Sequence, residues 1–286
     1  MGKIIISTDS TADLSLELIR ENDIKVFSMT VVMGDETRRD GMDIHTKDVF
    51  EYTKSTGKLT STSAGNIADY EEYFNSIKGD GDEVIHFSLG SGFSSTHNNA
   101  RLAADDMDGV YVIDSANLST GQGLLVLKAV DMLKEGKSAR EIVDVITDTV
   151  DKVRASFVLD TLEYMKKGGR CSSVVALGAN LLKLKPCIEV QSGKMGVTKK
   201  YRGKISDVYK QYIKEQLEGK QNLDTARVFI THTCLYNEDD AKAMVQFVRD
   251  MNLFDEVIET TAGCTVSVHC GPATLGVLFI EKTNNE

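Results

Sequence analysis

Before Glu135, a short β-branched or apolar run breaks three times at a cluster of hydroxyls, glycines and acids. Each time a helical pattern follows, and this alternation restricts the fold more than any other feature. Lys3–Ser7 meets Thr8-Asp9-Ser10-Thr11, then a helix over Leu14–Glu21 with Asp13 as its N-cap. Glu83–Leu89 meets Gly90-Ser91-Gly92-Phe93-Ser94-Ser95-Thr96 and a helix to about Asp106. Val110–Asp114 meets Ser115–Gly123 and the helix Leu124–Glu135. Ser138 with Glu141 forms a capping box that opens a further amphipathic helix to about Val153. Strand–turn–helix repetition predicts a parallel sheet with helices on both faces, a three-layer α/β/α arrangement.

After Asp160 the pattern changes. Thr161–Lys167 reads as a helix, Gly168-Gly169 breaks it, and Ser172–Leu182 resumes it. Cys187–Gln191 and Met195–Tyr201 read as a hairpin across Ser192-Gly193. A helix over Asp207–Leu217, a strand Arg227–Thr231, a helix Asp239–Met251 and strands Glu256–Thr261 and Thr274–Glu281 follow. The second part is thus α+β with a mixed sheet, and 286 residues divide into an α/β domain over 1–160 and a smaller domain over 161–286. Pro186 and Pro272 are the only prolines and no Gly/Ser-rich linker occurs, so the boundary is expected to be close-packed.

Charge excludes some functions. Asp and Glu number 43 against 33 Lys and Arg, a formal charge of −10. That is unsuited to general nucleic-acid binding or to an anionic membrane surface. No apolar run approaches the about 18 residues of a spanning helix; the longest is near Ala273–Ile280. The start lacks the pattern of a signal peptide, and Ile6 stands where a myristoylation signal needs Ser or Thr. Five cysteines without paired spacing suit a reducing cytoplasm and no disulfide framework.

The three turns would lie together at the carboxyl edge of the sheet, where ligands of open α/β sheets sit. Amides at helix starts favour an anion. Gly90 and Gly92 would let backbone approach a ligand, and Ser94, Ser95 and Thr96 add donors. The plainer reading is that these hydroxyls cap their helices. Gly90-x-Gly92-x-x-Ser95, with Asp114 ending the next strand, is also like a dinucleotide turn, which would make the chain a nucleotide-dependent oxidoreductase. His232 with Cys234 and His269 with Cys270 could meet around a metal but lack ligand spacing. Ser91 lacks the Gly-x-Ser-x-Gly elbow of a serine hydrolase.

An ordered set of segments carries a resemblance. These are Asp9-Ser10-Thr11-Ala12-Asp13, Gly92–Thr96, Asp114-Ser115 with Ser119, Gly121 and Gly123, Leu162–Arg170, and His269-x-Gly271-Pro272. Together they resemble the DegV family of fatty-acid-binding proteins. The resemblance implies a DegV-like pair of α/β domains that bind a long-chain fatty acid, with no metal and no other cofactor. It also implies a carrier rather than an enzyme, a cytoplasmic subunit that presents the acid to an ATP-dependent fatty acid kinase for phospholipid synthesis. Thr62, in Thr62-Ser63-Ala64-Gly65-Asn66 before Tyr70, and Ser94 are then the carboxylate ligands, Ser95 a backbone donor and His269 their neighbour. Ala64-Gly65, Ser95 and Ala273 depart from the family's Gln-Pro, Gly and Gly. Leu177, Leu181, Leu182, Ile188 and Phe279 are candidates for the acyl chain, each also suited to plain core. In Lys166-Lys167-Gly168-Gly169-Arg170 the lysines suit a helix end, whereas Arg170 suits a phosphoryl or partner contact.

Overall fold

The computed structural model describes residues 2–172 and 184–282; the helix expected over Ser172–Leu182 lies almost wholly outside them. Four parallel strands form the first sheet: β1 (Ile4–Asp9), β2 (Lys25–Phe27), β6 (Glu83–Ser88) and β7 (Val110–Asp114), in the order β2-β1-β6-β7. A small antiparallel sheet, absent from the sequence reading, is made by β3 (Thr30–Met33), β4 (Glu36–Arg39) and β5 (Ser61–Ser63) in the order β4-β3-β5. The third sheet has six strands in the order β10-β9-β8-β13-β11-β12. These are β8 (Val153–Val158), β9 (Leu184–Gln191), β10 (Lys194–Arg202), β11 (Leu223–His232), β12 (Glu256–Thr261) and β13 (Leu275–Glu281). Only its β11–β12 pair is parallel, so this sheet is mixed. The change of sheet falls at Val153, a few residues before the expected boundary, because β8 pairs with β9 and β13.

Helices separate and cover the two large sheets. α3 (Ile67–Ile77) and α4 (Thr96–Ala104) close one face of the first sheet through Tyr70, Phe74, Ala100 and Ala103. α5 (Thr120–Lys134) lies on the other face, with α6 (Ala139–Thr149) beside it. α5 also touches β8, β11 and β13, so it is sandwiched between sheets, and every residue from Thr120 to Leu127 is buried. α8 (Ile205–Leu217) and α9 (Asp239–Asp250) cover the far face of the six-stranded sheet. The alternation of strand side chains fixes this layering: in β13, Leu278 and Ile280 face the α5 core, whereas Val277 and Phe279 face the α8 and α9 core. The Ser192-Gly193 turn has φ of 46° and 70°, the paired positive values that suit a tight hairpin.

Three further helices are α1 (Leu16–Glu21), α2 (Thr46–Thr56) and α7 (Glu163–Gly168). α1 is capped by Ser15, whose side chain accepts from the Leu18 amide. Asp13 is not its N-cap; it sits in left-handed backbone (φ 52°) with a buried carboxylate. α10 (Cys264–Cys270) is a helix the sequence reading missed. It comes late in the chain but packs on α2, α7, β3 and β5.

Candidate functional site

Because β1, β6 and β7 are neighbours, their three turns do lie side by side. The Asp9 carboxylate knits them together, accepting from the Leu89 amide (2.8 Å), the Gln122 side chain (3.0 Å) and the Thr11 amide (3.2 Å). The two loop glycines have a different use from the expected one. A Cβ on Gly90 would lie 2.8 Å from the Asn117 amide nitrogen, and one on Gly92 would lie 2.1 Å from the Gly193 carbonyl oxygen. Both glycines allow other chain segments to approach closely. Asp114 accepts from the amides of Ser91 (3.0 Å) and Ala116 (2.9 Å), which commits it to the turns. The loop therefore lacks the free glycine surface that a dinucleotide turn requires.

Beside Ser94 and Ser95 a cavity of about 440 Å³ opens between the turns, β5, α7 and α10. That volume falls within the range of roughly 300–1,000 Å³ usual for ligand pockets. Its apolar wall includes Met29, Leu89, Phe93, Leu118, Met165 and Met195. Thr62, Ser94, Ser95, Arg170 and His269 also line it. All five residues singled out from the sequence thus meet in one cavity, although they come from four separate parts of the chain.

The polar groups hold one another. Thr62 Oγ1 and His269 Nε2 are 3.1 Å apart, joining β5 to the last turn of α10. Ser94 Oγ accepts from the Thr96 amide (3.2 Å) and lies 2.8 Å from the Thr96 hydroxyl. Asn99 donates to the Gly65 carbonyl (2.7 Å), tying the segment after Thr62 to α4. Burial, aided by the Arg170 charge, pushes the His269 pKa down to about 4, so the imidazole is neutral at pH 7. Arg170 is exposed, and its guanidinium donates to the Gly168 carbonyl (2.7 Å). Gly168 itself abuts the ring: a Cβ there would lie 2.4 Å from His269 Nδ1.

The acyl-chain candidates fare differently. Ile188 is buried in the core between the sheets and Phe279 in the core under α8 and α9; neither lines the cavity. Leu177, Leu181 and Leu182 lie outside the described residues. The three methionines of the wall come from three distant segments, so no local period could reveal them. Among the described residues, no group of three His, Cys, Asp or Glu could hold a metal, and no helix is long and apolar enough to cross a membrane. His232 is engaged by the Thr233 carbonyl (2.7 Å) and Glu259 (3.2 Å).

Over residues 3–282 the sequence matches a family described as uncharacterised proteins of the DegV type. The chain belongs to the DegV family. A DegV domain-containing protein of Caldanaerobacter subterraneus is 32% identical over 288 residues, covering 99% of this chain and 100% of the relative. One from Clostridium acetobutylicum is 32% identical over 286 residues, again covering 99% and 100%. The fold is that of solved DegV structures. A fatty-acid-binding DegV protein of Thermus thermophilus superposes with a TM-score of 0.86 at 25% identity, over 97% of this chain and 99% of that one. The Bacillus subtilis DegV, described as a fatty acid binding protein, gives 0.82 at 27% identity, over 99% and 100%. A stearic-acid-binding protein of Eubacterium ventriosum gives 0.82 at 26%, over 99% of each chain. These three solved structures are described by what they bind.

Proposed function

We propose that this DegV protein binds one long-chain fatty acid. The Thr62 and Ser94 hydroxyls, the Ser95 backbone and His269 hold the carboxylate, and the tail lies against Met29, Leu89, Phe93, Leu118, Met165 and Met195. The observation that carries this reading is the Thr62–His269 hydrogen bond beside Ser94, in the wall of a cavity otherwise rich in apolar side chains. A carboxylate would meet hydroxyl and amide donors there, each worth about 1.5–3 kcal/mol net. Each buried methylene adds about 0.8 kcal/mol. The tail then sets affinity and the hydroxyls set register. The fatty acids bound by solved relatives support the same class of ligand.

The protein acts in this reading as a cytoplasmic carrier, in keeping with five cysteines that lack paired spacing, and hands its ligand to an ATP-dependent fatty acid kinase. Arg170, exposed and beside His269, is placed to meet phosphoryl charge without being needed to hold the acid. Solvent extraction and mass spectrometry of the purified protein test the ligand: about one long-chain acid per chain is expected. A protein that is empty and refuses added long-chain acid overturns the binding reading. With kinase and ATP supplied, Arg170→Ala should retain binding but lose acyl-phosphate, trapped as hydroxamate; wild-type rates would remove Arg170 from the hand-over.

A further inference from the structure

α10 begins without a cap of its own. Its N-cap is Gly263, which has no side chain to offer the first amides of the helix. Two carboxylates from the first 40 residues take that place. Asp13 Oδ1 accepts from the Gly263 amide (2.8 Å). Asp40 Oδ1 accepts from the Cys264 amide (2.8 Å) and its Oδ2 from the Thr265 amide (2.9 Å). Both aspartates are buried, at 5% and 2% exposure. Asp13 is held in turn by the Ser119 hydroxyl (2.5 Å). Asp13 and Ser119 are both non-glycine residues with left-handed φ, 52° and 54°. Backbone of that kind persists only where the surroundings over-determine it. The last turn of the same helix carries His269.

We infer that Asp40, with Asp13 and Ser119 behind it, is a positioning residue for the carboxylate site: it fixes the register of α10 and so places His269 opposite Thr62. This rests on the fatty-acid reading for its function but not for its geometry. The two aspartates differ in a way that can be tested. Both Asp40 oxygens face fixed amide donors, so an asparagine there sets an NH₂ against an N–H. Asp13 meets one amide and one hydroxyl, and the hydroxyl can turn to accept, so an asparagine there keeps both bonds.

The experiment follows the His269 imidazole resonances in ligand-free protein, the affinities for a long-chain fatty acid and for the alcohol of equal length, and the melting temperature. Asp40→Asn should shift the His269 resonances and weaken the acid about tenfold more than the alcohol. Asp13→Ala should do likewise, and Asp13→Asn should restore both readouts. A purely structural role lowers melting and leaves the His269 resonances and the acid-to-alcohol ratio alone. Unmoved resonances in Asp40→Asn, or Asp13→Asn as damaging as Asp13→Ala, overturn the inference. If Asp40→Asn does not fold, Ser119→Ala decides: it should move the same resonances, and their constancy overturns the inference. A wild-type protein that binds no fatty acid defeats the ligand reading, while the ligand-free His269 arm still decides this one.

Discussion

Gly168→Ala should damage fatty-acid binding without weakening the helix that carries the change. Gly168 ends α7, and its φ is not in the left-handed region, so alanine adds no backbone strain. In a helix, alanine is favoured over glycine by about 1 kcal/mol. The new Cβ, however, falls 2.4 Å from His269 Nδ1, where 3.4 Å begins ordinary contact, so the ring must give by about 1 Å. Thr62 stands only 3.1 Å from Nε2, so the ring has no slack on that side and must swing out of line. A donor moved by that much no longer makes a hydrogen bond. With a charged acceptor the loss is about 1.5–3 kcal/mol, roughly a ten- to hundredfold weaker dissociation constant. Calorimetric titration with a long-chain acid measures it, with thermal melting in parallel. Wild-type affinity in folded Gly168→Ala would refute the claim that the His269 position matters for the carboxylate.

Thr62→Val and Ser94→Ala should each weaken acid binding by about 1–3 kcal/mol while the fatty alcohol is much less affected; unchanged acid affinity in both leaves these hydroxyls with structural roles only. His269 has a folded pKa near 4, below its ordinary 6.5, so folding excludes its proton. Its contribution to ligand-free stability is full above pH 6.5 and is lost as pH falls towards 4, by at most about 1.4 kcal/mol per unit. A bound carboxylate should raise that pKa, so binding takes up protons at pH values above about 4 and below the raised pKa; calorimetry in buffers of different ionisation heat, showing no uptake, would refute this. Gly92→Ala forces a Cβ to within 2.1 Å of the Gly193 carbonyl oxygen, and chemical denaturation should show a loss of roughly 1–3 kcal/mol as the turn parts from the hairpin.

What the sequence reveals and conceals follows from distance along the chain. The β9–β10 hairpin and the Ser138 capping box are legible because all their determinants lie within a few residues. The Gly90–Thr96 loop is legible as special, yet its glycines are misread: the partners that demand them, Asn117 and Gly193, lie 27 and 101 positions further on. Asp13 looks like a local cap because it precedes an apolar run, but its carboxylate answers Gly263, 250 residues later. α10 is hidden for the same reason, since a seven-residue helix opened by a glycine carries no cap signal of its own. Ser94, Ser95 and Arg170 stand out within their own segments, Thr62 and His269 are reached as carboxylate neighbours through the family resemblance, and the methionines that surround them are set only by tertiary packing.

The central position of α5 has a consequence for how the molecule can come apart. Leu124, Leu125, Val126, Leu127 and Val130 are all buried, each worth about 1.5–3 kcal/mol, on a helix gripped by strands of two different sheets. A chain severed near residue 160 would leave the first fragment with α5 and β8 but without β11 and β13, and the second with a bare apolar sheet face. Neither fragment closes its own interior. The two halves are therefore bound to melt as one cooperative unit, and a single calorimetric transition is the natural behaviour of a chain whose middle layer serves both neighbours.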